Sequence, residues 1–144
     1  MKRFRMLLSM TVIVMLATAC SSSIIKHPTP VIPEPVADQG LVYFYRPSSF
    51  FGAAISYDVK RGFETAGAIR NGTYFFTYTP PGTQVFWAET EAKEEVLLNI
   101  EPGETYYVRC GVGFGIFVGR PKFKIVHGMT GKNAILRCTY ATIR

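Results

Sequence analysis

Asn71-Gly72-Thr73-Tyr74-Phe75-Phe76-Thr77-Tyr78-Thr79-Pro80-Pro81-Gly82-Thr83-Gln84-Val85-Phe86-Trp87-Ala88-Glu89-Thr90 is the stretch that decides the fold. Two runs of aromatic, β-branched and threonine residues, the types that suit a pleated, half-buried surface, are set off by turn dipeptides. Both central positions of a type I′ hairpin turn need positive φ, and Asn71-Gly72 supplies the residues that tolerate it. Pro81-Gly82 puts Pro and Gly where a type II turn requires them. The stretch therefore reads as strand, turn, strand.

The same grammar continues on both sides. Residues 40–46 (GLVYFYR), 54–61 (AISYDVKR), 73–79 (TYFFTYT), 83–90 (TQVFWAET), 94–100 (EEVLLNI) and 105–112 (TYYVRCGV) each carry strand composition. Ile55, Tyr57 and Val59 alternate with Ser56, Asp58 and Lys60, and Val96, Leu98 and Ile100 form a second apolar stripe. Pro102-Gly103 adds another turn. Connections this short predict antiparallel neighbours. The expected architecture is all-β: an antiparallel β-sandwich or open barrel of about seven to nine strands over residues 38–144.

Ahead of that domain the chain changes character. A basic start, Met1-Lys2-Arg3-Phe4-Arg5, an apolar run over residues 6–16 and a small-residue exit, Ala17-Thr18-Ala19, have the layout of a secretory signal. The apolar run is about half the ~20 residues of a spanning helix. Leu16-Ala17-Thr18-Ala19-Cys20 resembles a lipoprotein lipobox, with Ala17 where Leu is usual. The resemblance implies cleavage after residue 19 and lipidation of Cys20, and two or more acyl chains make a stable anchor. Ser21, rather than Asp, resembles the signal of lipoproteins sorted to the outer membrane, facing the periplasm. Residues 20–37 hold Pro28, Pro30, Pro33 and Pro35, a density that favours extended polyproline II. At ~3.1 Å per residue such a linker would reach roughly 50 Å, and it is expected to act as a tether.

In the domain, residues 41–52 (LVYFYRPSSFFG), Tyr57-Asp58-Val59, Asn71-Gly72-Thr73-Tyr74-Phe75, Pro81-Gly82, Gly103-Glu104-Thr105-Tyr106-Tyr107-Val108 and Gly119-Arg120-Pro121 resemble, in order and spacing, the bacterial lipoprotein family known as domain of unknown function 2846. The resemblance covers most of residues 38–126 and implies an envelope lipoprotein with a β-sandwich domain and no assigned activity. The stretch from His127 onward matches it less well.

Candidate chemistry is sparse. His127 is the single histidine of the domain, with no second to pair with it or share a metal. Glu89, Glu91, Glu94 and Glu95 straddle a predicted hairpin turn at Ala92-Lys93, where charge normally marks a solvated edge. The glycines of residues 111–119 lack the spacing of a phosphate-cradling loop, and Phe114, Ile116 and Phe117 are expected to cap the sandwich. No catalytic residue, metal or cofactor is expected. Cys110 and Cys138 are predicted to point inward; in an oxidising compartment a bridge between them would close about 29 residues and contribute ~3.5 kcal/mol. Two buried free thiols are the alternative.

Charge supplies the functional hint. Loss of the signal removes Lys2, Arg3 and Arg5, lowering the net charge from +6 to +3. Residues 20–104 hold 6 basic and 10 acidic residues, whereas residues 105–144 hold 7 basic and none acidic. Lys122 and Lys124 alternate with Phe123 and Ile125, so on a strand they would share a face with Arg109 or Arg120. Such a patch would attract anionic lipid, polysaccharide or an acidic envelope protein; the export signal argues against nucleic acid. Two expectations follow. One is a lipid-anchored, non-enzymatic interaction domain binding anionic envelope components through this region. The other is a scaffold or sensor subunit docking through Phe50 and Phe51 or an edge strand.

Overall fold

The computed structural model describes residues 23–144. The signal segment and Cys20 lie outside the described residues. The strands are β1 Ile24–His27, β2 Gly40–Tyr45, β3 Tyr57–Arg61, β4 Glu64–Ile69, β5 Thr73–Thr79, β6 Gly82–Glu89, β7 Lys93–Ile100, β8 Thr105–Gly113, β9 Arg120–Val126 and β10 Thr139–Ile143, with one helix, α1 Gly128–Ile135. They form a six-stranded sheet in the order β1-β10-β5-β2-β8-β9 and a four-stranded sheet in the order β4-β3-β6-β7. The fold is all-β, and its two sheets make the sandwich that the period-two pattern predicts.

Between the sheets lies the larger core. Val42 and Phe44 of β2, Phe75 of β5 and Val108 and Cys110 of β8 meet Tyr57, Val59, Phe86, Val96, Leu98 and Ile100 from the other sheet. Phe44 stacks on Phe75 at 5.1 Å and tilts against Phe86 at 4.9 Å, within the range of favourable ring pairs. β2 is buried along its whole length, so it lacks the polar alternate positions of a half-wet strand. Its other face, Leu41, Tyr43 and Tyr45, joins Tyr74, Tyr107, Ile135 and Cys138 in a second core. α1 helps to cover that face.

Several expectations need correction. β2 pairs with β8 in parallel, and β10 pairs with β5 in parallel; the remaining ladders are antiparallel. The turns at Asn71-Gly72, Pro81-Gly82 and Pro102-Gly103 close no hairpin: each carries the chain from one sheet to the other, and only Gly72 of the first pair has positive φ, so that turn is not type I′. A short turn reverses the chain without deciding which sheet takes the next strand, and β2 reaches β8 after the chain has passed through the other sheet. Nine of the ten described strands, β2 to β10, lie within residues 38–144, in line with the upper end of the expected number, and β1 lies ahead of them. β4 was hidden by its sequence, ETAGAI, which is poor in strand-favouring residues. Gly67 is needed there because a Cβ would fall 2.4 Å from the Phe75 ring. The strand expected over residues 54–61 begins only at Tyr57.

The stretch from His127 is also reassigned. Leu136, two residues before Cys138, is the exposed C-cap of α1, and the strand starts at Thr139. The helix sequence, GMTGKNAI, holds weak helix formers, so tertiary packing supplies its stability. Gly131 allows the close approach: a Cβ there would lie 2.1 Å from Tyr107 Cγ.

The proline-rich segment does not stand off as a free spacer. β1 pairs with β10 from Ile24↔Ile143 to His27↔Tyr140. Further on, Tyr74 Oη accepts from Val31 N–H at 2.9 Å and donates to Val31 O at 3.0 Å, and Tyr78 Oη donates to Glu34 O at 2.8 Å. Tyrosine hydroxyls thus hold residues whose backbone has no ladder.

Candidate functional site: a basic cleft beside an aromatic tip

The β2–β8 ladder ends at Tyr45↔Arg109, but β8 continues to Gly113 with β9 on its other side. The segment after β2 turns away at Arg46-Pro47. A cleft of about 300 Å³ opens in the space left beyond the end of β2, lined by Arg46, Pro47, Ser49 and Phe51 on one side and by residues 109–112 and 122–124 on the other.

Register determines its charge. Arg109 lies opposite Lys124 and Gly111 opposite Lys122. Directly opposed residues share a face, as do residues two apart on a strand, so Arg109, Lys122 and Lys124 project together. Between them Gly111 contributes no side chain; the nearest atom to a Cβ there would be Lys122 Cβ, at 3.8 Å. The glycine leaves the floor open. Tyr57 Oη pins that floor by donating to Gly111 O at 2.7 Å.

Arg46 is the residue that sequence reading missed. Its side chain is 2% exposed, and it donates to Ile55 O at 2.7 Å and Gly52 O at 2.6 Å, tying down the loop that forms one wall. Burial pulls its pKa down, opposed by Tyr57 and Cys110; no carboxylate is among these influences, and no acidic side chain lines the cleft. Burying a charge is costly without compensation. The two carbonyls take two of its five N–H protons and leave its net charge in place. The one available signal was an arginine directly after a fully apolar strand and before Pro47.

The other predicted residues divide. Lys122 Nζ lies 3.6 Å from Glu94 Oε2, an exposed pair of little energetic weight. Arg120 is drawn away: its Nε donates to Glu91 Oε1 at 2.9 Å. Glu91 also accepts from the N–H groups of Ile116, Phe117 and Val118 at 2.8, 2.9 and 3.1 Å. Hydrogen bonds from Phe117 and Val118, then Arg120 and Ile116, hold its carboxyl down at about 2. Glu91 is therefore a clamp on the β8–β9 turn, not a member of a solvated edge.

The clamped turn holds apolar side chains in water. Phe114, Ile116 and Phe117 are 85%, 78% and 92% exposed, so they do not cap the sandwich. Phe51 stacks on Phe114 at 6.0 Å, and Phe50 is fully exposed beside it in sequence. Phe51 lines both the cleft and a shallow pocket under the tip, so the basic and apolar surfaces adjoin.

The expected bridge is absent: Cys110 and Cys138 are free and buried. Both point inward, but into different cores. Cys110 Sγ donates to Val108 O and Cys138 Sγ to Arg46 O. Burial pushes the Cys110 thiol up strongly, with Arg46 opposing, and pushes Cys138 up to about 11. His127 is the N-cap residue of α1 and does not line the cleft.

A two-sheet β-sandwich with a cation-lined cleft at one end defines the class of the protein as an all-β sandwich domain. Residues 36–128 match the family described as "Protein of unknown function (DUF2846)", and the chain belongs to that family. It is also similar to a protein of Haemophilus influenzae named "Uncharacterized protein", 28% identical over 101 residues, covering 69% of this chain and 60% of that protein. The alignment thus spans less than two thirds of that relative's length. No solved structure matches.

Proposed function

We propose that this chain is a lipid-anchored envelope lipoprotein whose β-sandwich is a non-enzymatic binding domain for an anionic envelope component. The observation that carries the reading is the convergence of Arg109, Lys122 and Lys124 with buried Arg46 around a cleft without an acidic lining residue. Such a surface favours anions over a range set by ionic screening, about 8 Å at physiological salt.

Strand direction supports a division of labour. β8 runs parallel to β2, β5 antiparallel to β2, β10 parallel to β5, and β1 antiparallel to β10. β1 therefore starts at the end of the sheet opposite the β8–β9 turn, and Arg144 N–H donates to Ser23 O there. A lipid on Cys20, three residues upstream of Ser23, would hold that end at the outer membrane and direct cleft and tip into the periplasm. The exposed aromatics favour a second reading, in which an envelope protein docks on Phe50, Phe51, Phe114, Ile116 and Phe117.

Photo-crosslinkers at Lys122, Lys124 and Phe50 in intact cells, with Cys20→Ser to release the anchor, test both. Capture of lipid or polysaccharide at the lysines supports anion binding, and a single protein captured at Phe50 supports docking. No capture at any position, or a Cys20→Ser chain that stays with the membrane, counts against the proposal.

A further inference from the structure

We propose that the cleft beyond the end of β2 is a binding site for a phosphate ester. The inference deepens the anion-binding reading and rests on it. Four cations, Arg46, Arg109, Lys122 and Lys124, line one opening with no acidic residue in its lining; of them, Lys122 has a carboxylate, Glu94, paired with it in an exposed ion pair. A phosphate ester carries up to two negative charges on oxygens that arginine can hold in a bidentate fork, so it offsets more of this charge than a single carboxylate would. The cleft volume, about 300 Å³, is at the small end of the range for ligand sites and suits a phosphate with a few attached atoms.

The division of roles follows from placement. Arg109 and Lys124, opposed across the β8–β9 ladder, supply exposed donors. Arg46, already bonded to Gly52 and Ile55 carbonyls, contributes its field from beneath. Gly111 is the specificity determinant. A glycine within a strand often marks the close approach of a ligand, and any larger side chain here would project into the opening between Arg109 and Lys122. Phe51 forms the wall shared with the aromatic tip, where the organic part of the ester would lie. A lipid headgroup and a soluble or polymer-borne phosphate present the same chemistry.

The test uses the exported chain carrying Cys20→Ser, free of lipid. Glycerol 3-phosphate is titrated while amide NMR shifts are followed, and co-sedimentation is measured with vesicles of phosphatidylglycerol and phosphatidylcholine against phosphatidylcholine alone. Saturable shifts centred on Arg109, Gly111 and Lys124, with a Kd on the order of 1 mM, are expected. Gly111→Leu fills the cleft without changing charge and should weaken binding about tenfold or more; Arg109→Glu with Lys124→Glu should do the same. Both sites tolerate change, since a Cβ at Gly111 meets Lys122 Cβ only at ordinary contact distance, 3.8 Å, and the two cations are on the surface.

Binding of glycerol 3-phosphate that is lost in Gly111→Leu supports the proposal for a soluble or polymer-borne ester. Vesicle binding that needs phosphatidylglycerol and is lost in both Gly111→Leu and Phe51→Ala supports it for a lipid. Absence of saturable binding to either probe overturns it, as does binding unchanged by Gly111→Leu, which would reflect unlocalised charge. Crosslinking at Lys122 or Lys124 to an anionic component without phosphate would overturn the ligand class while leaving the broader anion-binding function standing.

Discussion

Glu91 accepts three consecutive backbone N–H groups and the Arg120 side chain, and this one carboxylate sets the shape of the tip. Its pKa is held near 2 in the folded chain against an ordinary 4.5. A depressed folded value means that the unfolded chain takes up the proton first as pH falls. The contribution of Glu91 is therefore complete above about pH 4.5 and is lost between there and about pH 2. Glu91→Gln should lower the melting temperature at pH 7 and accelerate amide exchange at Ile116–Val118, with the gap from wild type closing toward pH 2. A gap that stays constant over that range would show that the carboxylate's charge does not hold the turn.

Among elements, β1 and the proline segment are attached most lightly. β1 pairs only with β10, and beyond it the chain is held through Val31 and Glu34 by two tyrosine hydroxyls. Elements with few hydrogen bonds and exposed backbone open first. Tyr74→Phe removes the bonds to both backbone groups of Val31 and should cost about 1 kcal/mol. Hydrogen exchange in residues 28–36 should rise while β2, β5 and β8 keep their protection. Loss of protection throughout the sheet would mean that the hydroxyl supports the second core rather than the segment. The prolines signalled a segment without helix or ladder, and residues 28–36 hold neither, but nothing local in the sequence revealed the tyrosines across the sheet that bind it.

At the scale of the molecule, two cores share the six-stranded sheet, and the cysteines report on them separately. Both thiols are buried, and burial raises both above the ordinary range. Since the thiolate is the reactive form, native protein at pH 7.5 should take up almost no maleimide. Denaturation of the Cys20→Ser chain should then expose two reactive thiols per chain without prior reduction. Fewer than two without reductant, and two with it, would indicate a bridge and a rearranged second core. The same layout predicts the effect of Phe44→Ala: at the centre of the inter-sheet core it should cost about 3–5 kcal/mol, measured by denaturant unfolding.

Most of the strands and the sign of the charge were legible in the residue pattern alone. Aromatic, β-branched and threonine composition in residues 73–79, 83–90 and 105–112 marked β5, β6 and β8, since such side chains suit a pleated surface, and the alternation of Val96, Leu98 and Ile100 marked β7, because burying one face of a strand leaves a period of two. Asn71-Gly72 and Pro102-Gly103 marked turns where Gly72 and Gly103 take φ of 72° and 76°, conformations that favour glycine. Arg109, Lys122 and Lys124 were legible as a shared face once β9 was assumed. Tertiary structure decided the parallel pairing of β2 with β8, the separate cores of Cys110 and Cys138, the helix at Gly128–Ile135, and the clamp of Glu91 across 25 to 29 residues. Each depends on contacts between distant segments, which local pattern does not encode. The cleft belongs to the same class: it exists because β8 outlasts β2, and only the register of a non-local ladder reveals where that happens.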